Sequence, residues 1–315
     1  MLNFPKEYFC GEEREGFYVD ETMKTVWAAE LEVLNEVATI CATHDICWYA
    51  AYGTLLGAVR HQGFIPWDDD IDIWVRRKDY RRLLALLQNE LPKEFVVRGP
   101  HAREGYPEYQ VYVNNGDSIS VEPSRLEKFH GCPFFVGIDI FPLDDIPINS
   151  IDIDIQRSIF AGTLLLQQKD VKDNVQRSEI MIQINGILNT LQARYGICID
   201  RHLLKPESEK KLLDQLWRTA EVIGSRNGSN HLAMYLDYLK YGKIYETAWF
   251  DETVYLPFEG FDVPVPENYD AVLRVIYGDY TVYVRSGALH DYPCYKRQLE
   301  ELRKKVAERT VDNCR

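Results

Sequence analysis

Apolar and polar positions recur along this chain in two periods, which together predict a mixed α/β protein. Residues 21–44 place apolar side chains three and four positions apart, which predicts an amphipathic helix with Asp20 as its N-cap. Ile71, Ile73 and Val75 alternate with other side chains, which is the period of a strand. Further helices are predicted at 54–61 and 79–91, the second capped by Asp79, and further strands at 95–98, 109–113, 118–121 and 134–141.

The pattern changes near Pro147. Residues 151–240 are mostly helical in period, extended structure returns at 253–265, and Pro266 is expected to open another helix. A last helix is predicted at 293–309. We therefore predict an α/β (α+β) fold in which a mixed β-sheet core is flanked by helices and carries a helical insertion. The predicted division is a core at 1–150, a mainly helical insertion at 151–250 and a C-terminal return to the core at 251–315.

Composition and charge narrow the class of protein. Lys and Arg total 36 against 49 Asp and Glu, a formal net charge of −13, which argues against a protein that grips nucleic acid by its phosphates. No apolar run reaches the roughly 18 residues of a membrane span, and the N-terminal residues lack the pattern of a secretory signal. The seven cysteines form no C-x-x-C pair, as is typical of reduced thiols. We expect a cytoplasmic protein with no nucleic-acid partner and no integral membrane segment.

Acidic side chains concentrate immediately before and within the predicted strand at 71–75. Strand periodicity puts Asp70 and Asp72 on one face, about 7 Å apart, and Asp68 shares their parity if the chain is already extended there. Like charges this close raise one another's pKa unless something positive neutralises them. Oxygen-rich clusters suit Mg²⁺ or Mn²⁺, so we predict a divalent metal site.

Other interpretations of this stretch are weaker. A solvated acidic loop does not explain the core-seeking side chains that interleave it, and a calcium loop would need Gly at position 73 and Glu at position 79. Asp69 alone is better explained by a turn. A second acid, Asp139, alternates with apolar neighbours and could complete a two-metal site or accept a proton, whereas Asp144 and Asp145 have the pattern of a turn.

Long motifs in this sequence resemble one known family. They are G-T-L-L-G-A-V-R-H-Q-G-F-I-P-W-D-D-D-I-D-I from Gly53, G-I-D-I-F-P-L-D from Gly137, L-P-F-E-G from Leu256, and V-P-V-P-E-N-Y-D from Val263 followed by Y-G-D-Y from Tyr277. This combination resembles the LicD family, a branch of the nucleotidyltransferase-fold superfamily that includes fukutin and fukutin-related protein. The resemblance implies a nucleotidyltransferase-like catalytic core at 1–150 and a possible acceptor-binding region at 151–250.

LicD-like proteins are phosphotransferases, so the resemblance also implies an activity. The expected reaction moves phosphocholine from CDP-choline to a hydroxyl of a cell-surface glycan precursor, such as teichoic acid or lipopolysaccharide, and releases CMP. Mg²⁺, or Mn²⁺, is the expected cofactor. The implied metal ligands are Asp68, Asp70, Asp72 and Asp139, of which the last three are the implied catalytic residues. The implied substrate-binding residues are Gly53, Thr54, Arg60, His61 and Trp67.

Several choices stay open at the level of sequence. The donor could carry ethanolamine, ribitol or glycerol in place of choline, and Arg60 could be a structural ion pair. A nucleotidyltransferase that releases pyrophosphate, or an inactive glycan- or nucleotide-binding protein, are the alternative functions. Choline favours an aromatic cage, but sequence does not choose among Trp48, Tyr49, Tyr52, Trp67, Trp74 and Trp249. Glu259 and His290 receive no role.

Overall fold

The computed structural model describes residues 1–99, 111–167, 174–226, 228–284 and 292–312, with 174–176 and 305–312 described by backbone alone. The predicted strand at 109–113 lies partly outside the described residues, and His290 lies wholly outside them. No helix in the described ranges is long and apolar enough to cross a lipid bilayer.

Strands and helices alternate through most of the described chain. The strands are β1 Glu12–Arg14, β2 Phe17–Val19, β3 Trp48–Ala50, β4 Ile71–Arg76, β5 Val96–Arg98, β6 Val111–Asn114, β7 Gly137–Ile146, β8 His231–Ala233, β9 Tyr245–Glu246, β10 Thr253–Phe258 and β11 Phe261–Pro266. The helices are α1 Glu21–Thr43, α2 Tyr52–His61, α3 Arg77–Glu90, α4 Pro123–Lys128, α5 Ser150–Gln167, α6 Asn174–Tyr195, α7 Glu209–Ser225, α8 Tyr235–Tyr241, α9 Tyr269–Tyr277 and α10 Lys296–Asp312.

The chain divides into two compact units, residues 1–141 with 252–315, and residues 142–251. In the first unit the sheet has the strand order β3–β4–β7–β6–β5, and residues 137–140 of β7 pair antiparallel with β6. Two antiparallel hairpins, β1–β2 and β10–β11, accompany this sheet. The predicted fold class is confirmed, because the protein is mixed α/β with a central mixed sheet flanked by helices.

The second unit is built mainly from helices. Helix α5 packs against α6, α7 and α8, while residues 144–146 of β7 pair with β8, which in turn pairs with β9. The buried Gln156 side chain donates from Nε2 to the carbonyls of Asp145 and Ala220, at 2.8 and 3.1 Å. The proposal that residues 151–250 hold an acceptor stays a prediction.

The elements that flank the first acidic stretch form for the reasons that the sequence predicted. The Asp20 side chain caps α1 by accepting a hydrogen bond from the Met23 backbone N–H at 2.7 Å. Ile71 and Ile73 of β4 are fully buried, as the alternating pattern predicted. The buried strand β4 therefore follows the acidic residues directly, and the buried helix α1 precedes them in the chain.

Some local predictions were wrong. Residues 118–121 form no strand, since Ser120 makes a single backbone bond to the Pro133 carbonyl in place of a ladder. Helix α3 begins at Arg77, which puts Asp79 in its first turn and not at its N-cap. Asp144 lies within β7 and is buried, because the strand continues past Pro142. The next helix after β11 begins at Tyr269, three residues beyond Pro266.

Gly137 has a packing requirement that can be tested. A Cβ at this position would overlap the Val113 carbonyl oxygen on the neighbouring strand. We expect Gly137→Ala to destabilise the protein by about 1–3 kcal/mol, the typical cost of overpacking. Gly186→Ala is the control, because its Cβ would meet nothing within 4 Å inside α6 and Ala favours a helix. Equal urea-unfolding midpoints for the two variants would contradict the strand pairing.

Candidate functional site

The residues at 68–70, which we call the acidic turn, lie directly before β4 in the first unit. Asp68, Asp69 and Asp70 each offer a carboxylate oxygen, and these atoms lie within 4.8 Å of one another. Asp69 is buried, whereas Asp68 and Asp70 are partly exposed. The turn therefore presents several carboxylates at the edge of the protein core.

Hydrogen bonds from distant parts of the chain fix this turn and the start of β4. The Trp27 indole N–H donates to the Asp68 carbonyl at 3.2 Å, and the Cys294 backbone N–H donates to Oδ2 of Asp69 at 2.5 Å. The Thr54 hydroxyl oxygen accepts from the Asp72 backbone N–H at 2.8 Å. Asp69 is thus a structural anchor that holds the turn in place, which agrees with its predicted turn role.

Gly53 lies in the first turn of α2 and touches the acidic turn. A Cβ there would overlap Oδ2 of Asp68, so only glycine allows this carboxylate its position. The sequence predicted a helix starting after Gly53, but the helix begins at Tyr52 and includes Gly53. Gly53 and Thr54 both shape the site, and the substrate-binding role predicted for them stays a prediction.

Negative charge accumulates at the start of β4. Burial raises the pKa of Asp72 well above its ordinary range, and the charges of Asp70, Asp139 and Asp68 raise it further. Burial likewise raises the pKa of Asp68, with the charge of Asp70 as the next cause. Asp139, on β7, therefore acts on the same site as the first acidic stretch, and the structure brings the four predicted metal ligands into one electrostatic cluster.

Glu30 belongs to this cluster and was missed by the sequence analysis. It lies on α1, is 2% exposed, and has its pKa raised by burial first and then by Asp69, Asp70, Asp68 and Asp139. Its Oε2 atom is buried and has no hydrogen-bond partner among the described residues. The available signal was its position three residues after Trp27, which puts an acid on the apolar face of α1.

Arg60 and His61, at the end of α2, make contacts within the first unit. Arg60 donates from Nη1 to the Tyr280 carbonyl at 3.0 Å, and its guanidinium lies 4.4 Å from the ring centre of Tyr283. Nε2 of His61 lies 3.1 Å from a carboxylate oxygen of Glu15. The contacts with donor phosphates that were predicted for Arg60 and His61 stay predictions.

Glu259, to which the sequence assigned no role, forms a buried ion pair. Its two carboxylate oxygens accept from Nη1 and Nη2 of Arg14 at 2.6 and 3.2 Å, and Oε1 also accepts from the Phe64 backbone N–H at 3.1 Å. The Glu259 side chain is 3% exposed. We call this Arg14–Glu259–Phe64 arrangement the clamp.

The clamp joins the loop at 62–68 to three other parts of the first unit. The Arg14 guanidinium lies 5.2 Å from the ring centre of Trp27, and Trp27 stacks on Phe64 with ring centres 4.5 Å apart. Because Trp27 also bonds the Asp68 carbonyl, the clamp holds the loop that ends in the acidic turn. This explains physically why a glutamate stands in the tight β10–β11 connection.

Comparison with known proteins shows which family this chain is similar to. Residues 45–155 match the family model described as LicD/FKTN/FKRP, nucleotidyltransferase domain. The chain is also 26% identical over 256 residues to the lipopolysaccharide cholinephosphotransferase LicD of Haemophilus influenzae, covering 79% of this chain and 88% of that protein. These two similarities support a relationship of this chain to the LicD family.

A second relative matches a smaller part of the chain. This chain is 42% identical over 132 residues to the uncharacterized protein RT0683 of Rickettsia typhi, and the match covers 39% of this chain and 40% of that protein. The family match includes the acidic turn and Asp139, but Glu30 and Glu259 lie outside the matched residues. Glu30, which lies near the acidic turn, and Glu259 of the clamp therefore come from parts of the chain beyond that match.

The clamp predicts that removing its buried carboxylate lowers the stability more than breaking an exposed ion pair elsewhere. Glu259→Ala removes the buried partner of Arg14 and the acceptor of the Phe64 N–H, so we expect a loss of about 2 kcal/mol in unfolding free energy. This is below the cost of breaking a fully buried pair, because Arg14 is partly exposed. Arg218→Ala, which breaks an exposed pair with Asp214, should cost less than about 0.5 kcal/mol. Equal chemical-denaturation midpoints for both variants would refute the clamp.

The raised pKa of Asp72 predicts a pH-dependent stability. A carboxyl group whose pKa is raised on folding contributes its full stabilisation to the folded protein when the pH is below the ordinary pKa of 3.8. That contribution is lost as the pH rises through the raised pKa of the folded state. In the presence of a chelator, Asp72→Asn should therefore melt at a higher temperature than wild type at pH 8, with the difference vanishing near pH 4.

The matched control for this experiment is Asp262→Asn on β11, where the aspartate is exposed. Its melting temperature should follow that of wild type across the whole pH range. If the melting temperature of Asp72→Asn also follows that of wild type at every pH, ionised Asp72 does not destabilise the folded protein.

Proposed function

We propose that this protein is a divalent-metal-dependent transferase that moves phosphocholine from CDP-choline to a hydroxyl of a cell-surface glycan precursor. In this reaction a bond forms between the acceptor oxygen and the phosphorus distal to the nucleoside. The bond from that phosphorus to CMP breaks, and the acceptor hydroxyl loses its proton. The single observation that carries the proposal is the acidic turn, whose carboxylates lie close together and act with Asp139 on the electrostatics of one site.

The similarity to a lipopolysaccharide cholinephosphotransferase supports the choice of phosphocholine. That relative is aligned over most of both chains, so the likeness is not limited to one shared motif. The acceptor class is proposed on the same basis, and residues 151–250 are our proposed region for recognising it. Lipopolysaccharide and teichoic acid precursors are both sugars with free hydroxyls, and either fits the proposal.

The carboxylates fit a bound Mg²⁺ or Mn²⁺. Asp68, Asp70, Asp72 and Asp139 are the proposed ligands, and their oxygen atoms are the donors that these ions prefer. The buried Oε2 of Glu30, without a partner among the described residues, is a second observation that favours a cation there. When bound, the metal would neutralise the diphosphate and the charge that develops on the CMP oxygen.

The chain's own residues position and deprotonate the substrates in this proposal. Trp27 holds the backbone of the acidic turn and Thr54 holds that of Asp72 in β4, so the carboxylates keep their places during turnover. Asp139 lies on β7, outside the turn, and in our proposal it either helps to hold a metal or accepts the proton of the attacking hydroxyl.

A nucleotidyltransferase is the second candidate function, and the description of the matched family as a nucleotidyltransferase domain favours it. Such an enzyme would attack the phosphorus next to the nucleoside and release pyrophosphate. The two functions therefore differ in the product that leaves and in the donor that binds most tightly.

Product release tests the proposal. With Mg²⁺, CDP-choline and a panel of glycan precursors, we expect CMP from the wild type and a loss of about a hundredfold or more for Asp72→Asn, because several kcal/mol of charge stabilisation depend on the metal site. Asp262→Asn should keep full activity. If Asp72→Asn releases CMP as fast as wild type, the catalytic role proposed for Asp72 is wrong.

Donor binding separates the two functions. In calorimetry with Mg²⁺, we expect CDP-choline to bind more tightly than CTP. If CTP binds while CDP-choline, CDP-ethanolamine, CDP-ribitol and CDP-glycerol do not, and pyrophosphate is the product, the nucleotidyltransferase replaces our proposal.

A further inference from the structure

The structure separates the aromatic side chains that the sequence left equivalent. Trp74 and Tyr49 are buried in the sheet, and Tyr52 packs edge-on against Trp74 and Phe141. Trp249 lies in the second unit. Trp67, by contrast, is partly exposed and directly precedes Asp68 of the acidic turn.

Trp67 belongs to an arrangement of three aromatic rings that the sequence did not reveal. Phe17, from β2, lies with its ring centre 6.3 Å from that of Trp67 and 5.8 Å from that of Tyr292. The planes meet at 67° and 75°, so the rings form walls that stand at steep angles and not a flat stack. All three side chains are partly exposed.

The charge near these rings is negative. Burial raises the pKa of the Tyr292 hydroxyl, and the charges of Asp69, Asp20 and Asp68 raise it further. Asp20 and Asp69 are also the acceptors for the Tyr295 hydroxyl and the Cys294 backbone N–H, so both carboxylates lie near the segment that carries Tyr292. Ring faces and carboxylates together attract a cation that has no hydrogen to donate.

We propose that Phe17, Trp67 and Tyr292 form the walls of a subsite for a quaternary ammonium group, which would hold the choline end of the donor. This inference rests on the proposed function and specifies its head group. Trp67 and Asp68 are neighbours in the chain, with Cα atoms about 3.8 Å apart. A donor whose phosphate lies at the acidic turn therefore has its alcohol portion close to these rings.

The subsite would select among phospho-alcohols by charge and hydration. A trimethylammonium group is weakly hydrated and loses little when it enters an aromatic site. The primary ammonium of ethanolamine keeps hydrogen-bond donors that ring faces do not satisfy, so its transfer from water costs more. Ribitol and glycerol carry no positive charge and gain no cation–π attraction.

Calorimetric binding of three probes tests this inference, each with Mg²⁺: CDP-choline, CDP-ethanolamine and CDP. For wild type we expect CDP-choline to bind about tenfold more tightly than CDP-ethanolamine, the scale of a desolvated cation–π contact. Phe17→Leu keeps an apolar side chain but removes the ring, and should reduce this preference to near unity. Phe17→Tyr keeps a ring face and should retain the preference.

Phe9→Leu is the matched control, because Phe9 is also partly exposed and packs against other rings, including that of His130. It should retain the wild-type preference. Tetramethylammonium should compete with CDP-choline for wild type and lose that competition in Phe17→Leu.

The outcomes separate this inference from the proposed function. If Phe17→Leu binds CDP-choline with the wild-type preference, Phe17 only packs the hairpin, and the subsite is overturned while the transferase proposal stands. If wild type transfers phosphocholine but shows no preference over ethanolamine, the subsite is again overturned. If wild type binds none of the CDP-alcohols, the proposed function fails and the subsite fails with it.

Discussion

Mutual repulsion among carboxylates held out of water is the constraint on which the rest of this site depends. Asp68, Asp72 and Glu30 all have raised pKa values for the same two reasons, burial and neighbouring acids. Two unit charges about 4 Å apart repel by roughly 4 kcal/mol at the effective dielectric constant of a protein surface. A chain that gathers such groups must hold them by other interactions or neutralise them.

The first unit supplies the holding interactions from widely separated parts of the sequence. Trp27 bonds the turn from α1, Cys294 bonds it from the C-terminal part, and Gly53 leaves room for the Asp68 carboxylate. The clamp adds a charge-assisted contact between Arg14 and Glu259, 245 residues apart. The backbone of the acidic turn is therefore held by contacts with several parts of the first unit, as a binding site that is formed before its ligand arrives requires.

The parts of this site that sequence could predict are those that depend on local period. Strand alternation placed Asp70, Asp72 and Asp139 on the face opposite to their isoleucine neighbours, which are buried, and Asp20 capped α1 as its residue type predicts. The positions of Cys294 and Glu259 could not be predicted, since they depend on long-range packing. Glu30 was partly predictable, because an acid on the apolar face of a helix stands out in the sequence, whereas its acidic neighbours depend on the fold.

In the proposed enzyme, a divalent cation balances the charge of the acidic turn and Asp139. Calorimetric titration of Mn²⁺ or Mg²⁺ into the protein near pH 7, repeated in buffers of different ionisation enthalpy, tests it most directly. Carboxyl groups with raised pKa values must give up protons when they ligate a metal. The account predicts saturable binding with proton release, both lost in Asp70→Asn. Absence of binding, or binding that Asp70→Asn leaves unchanged, would contradict it.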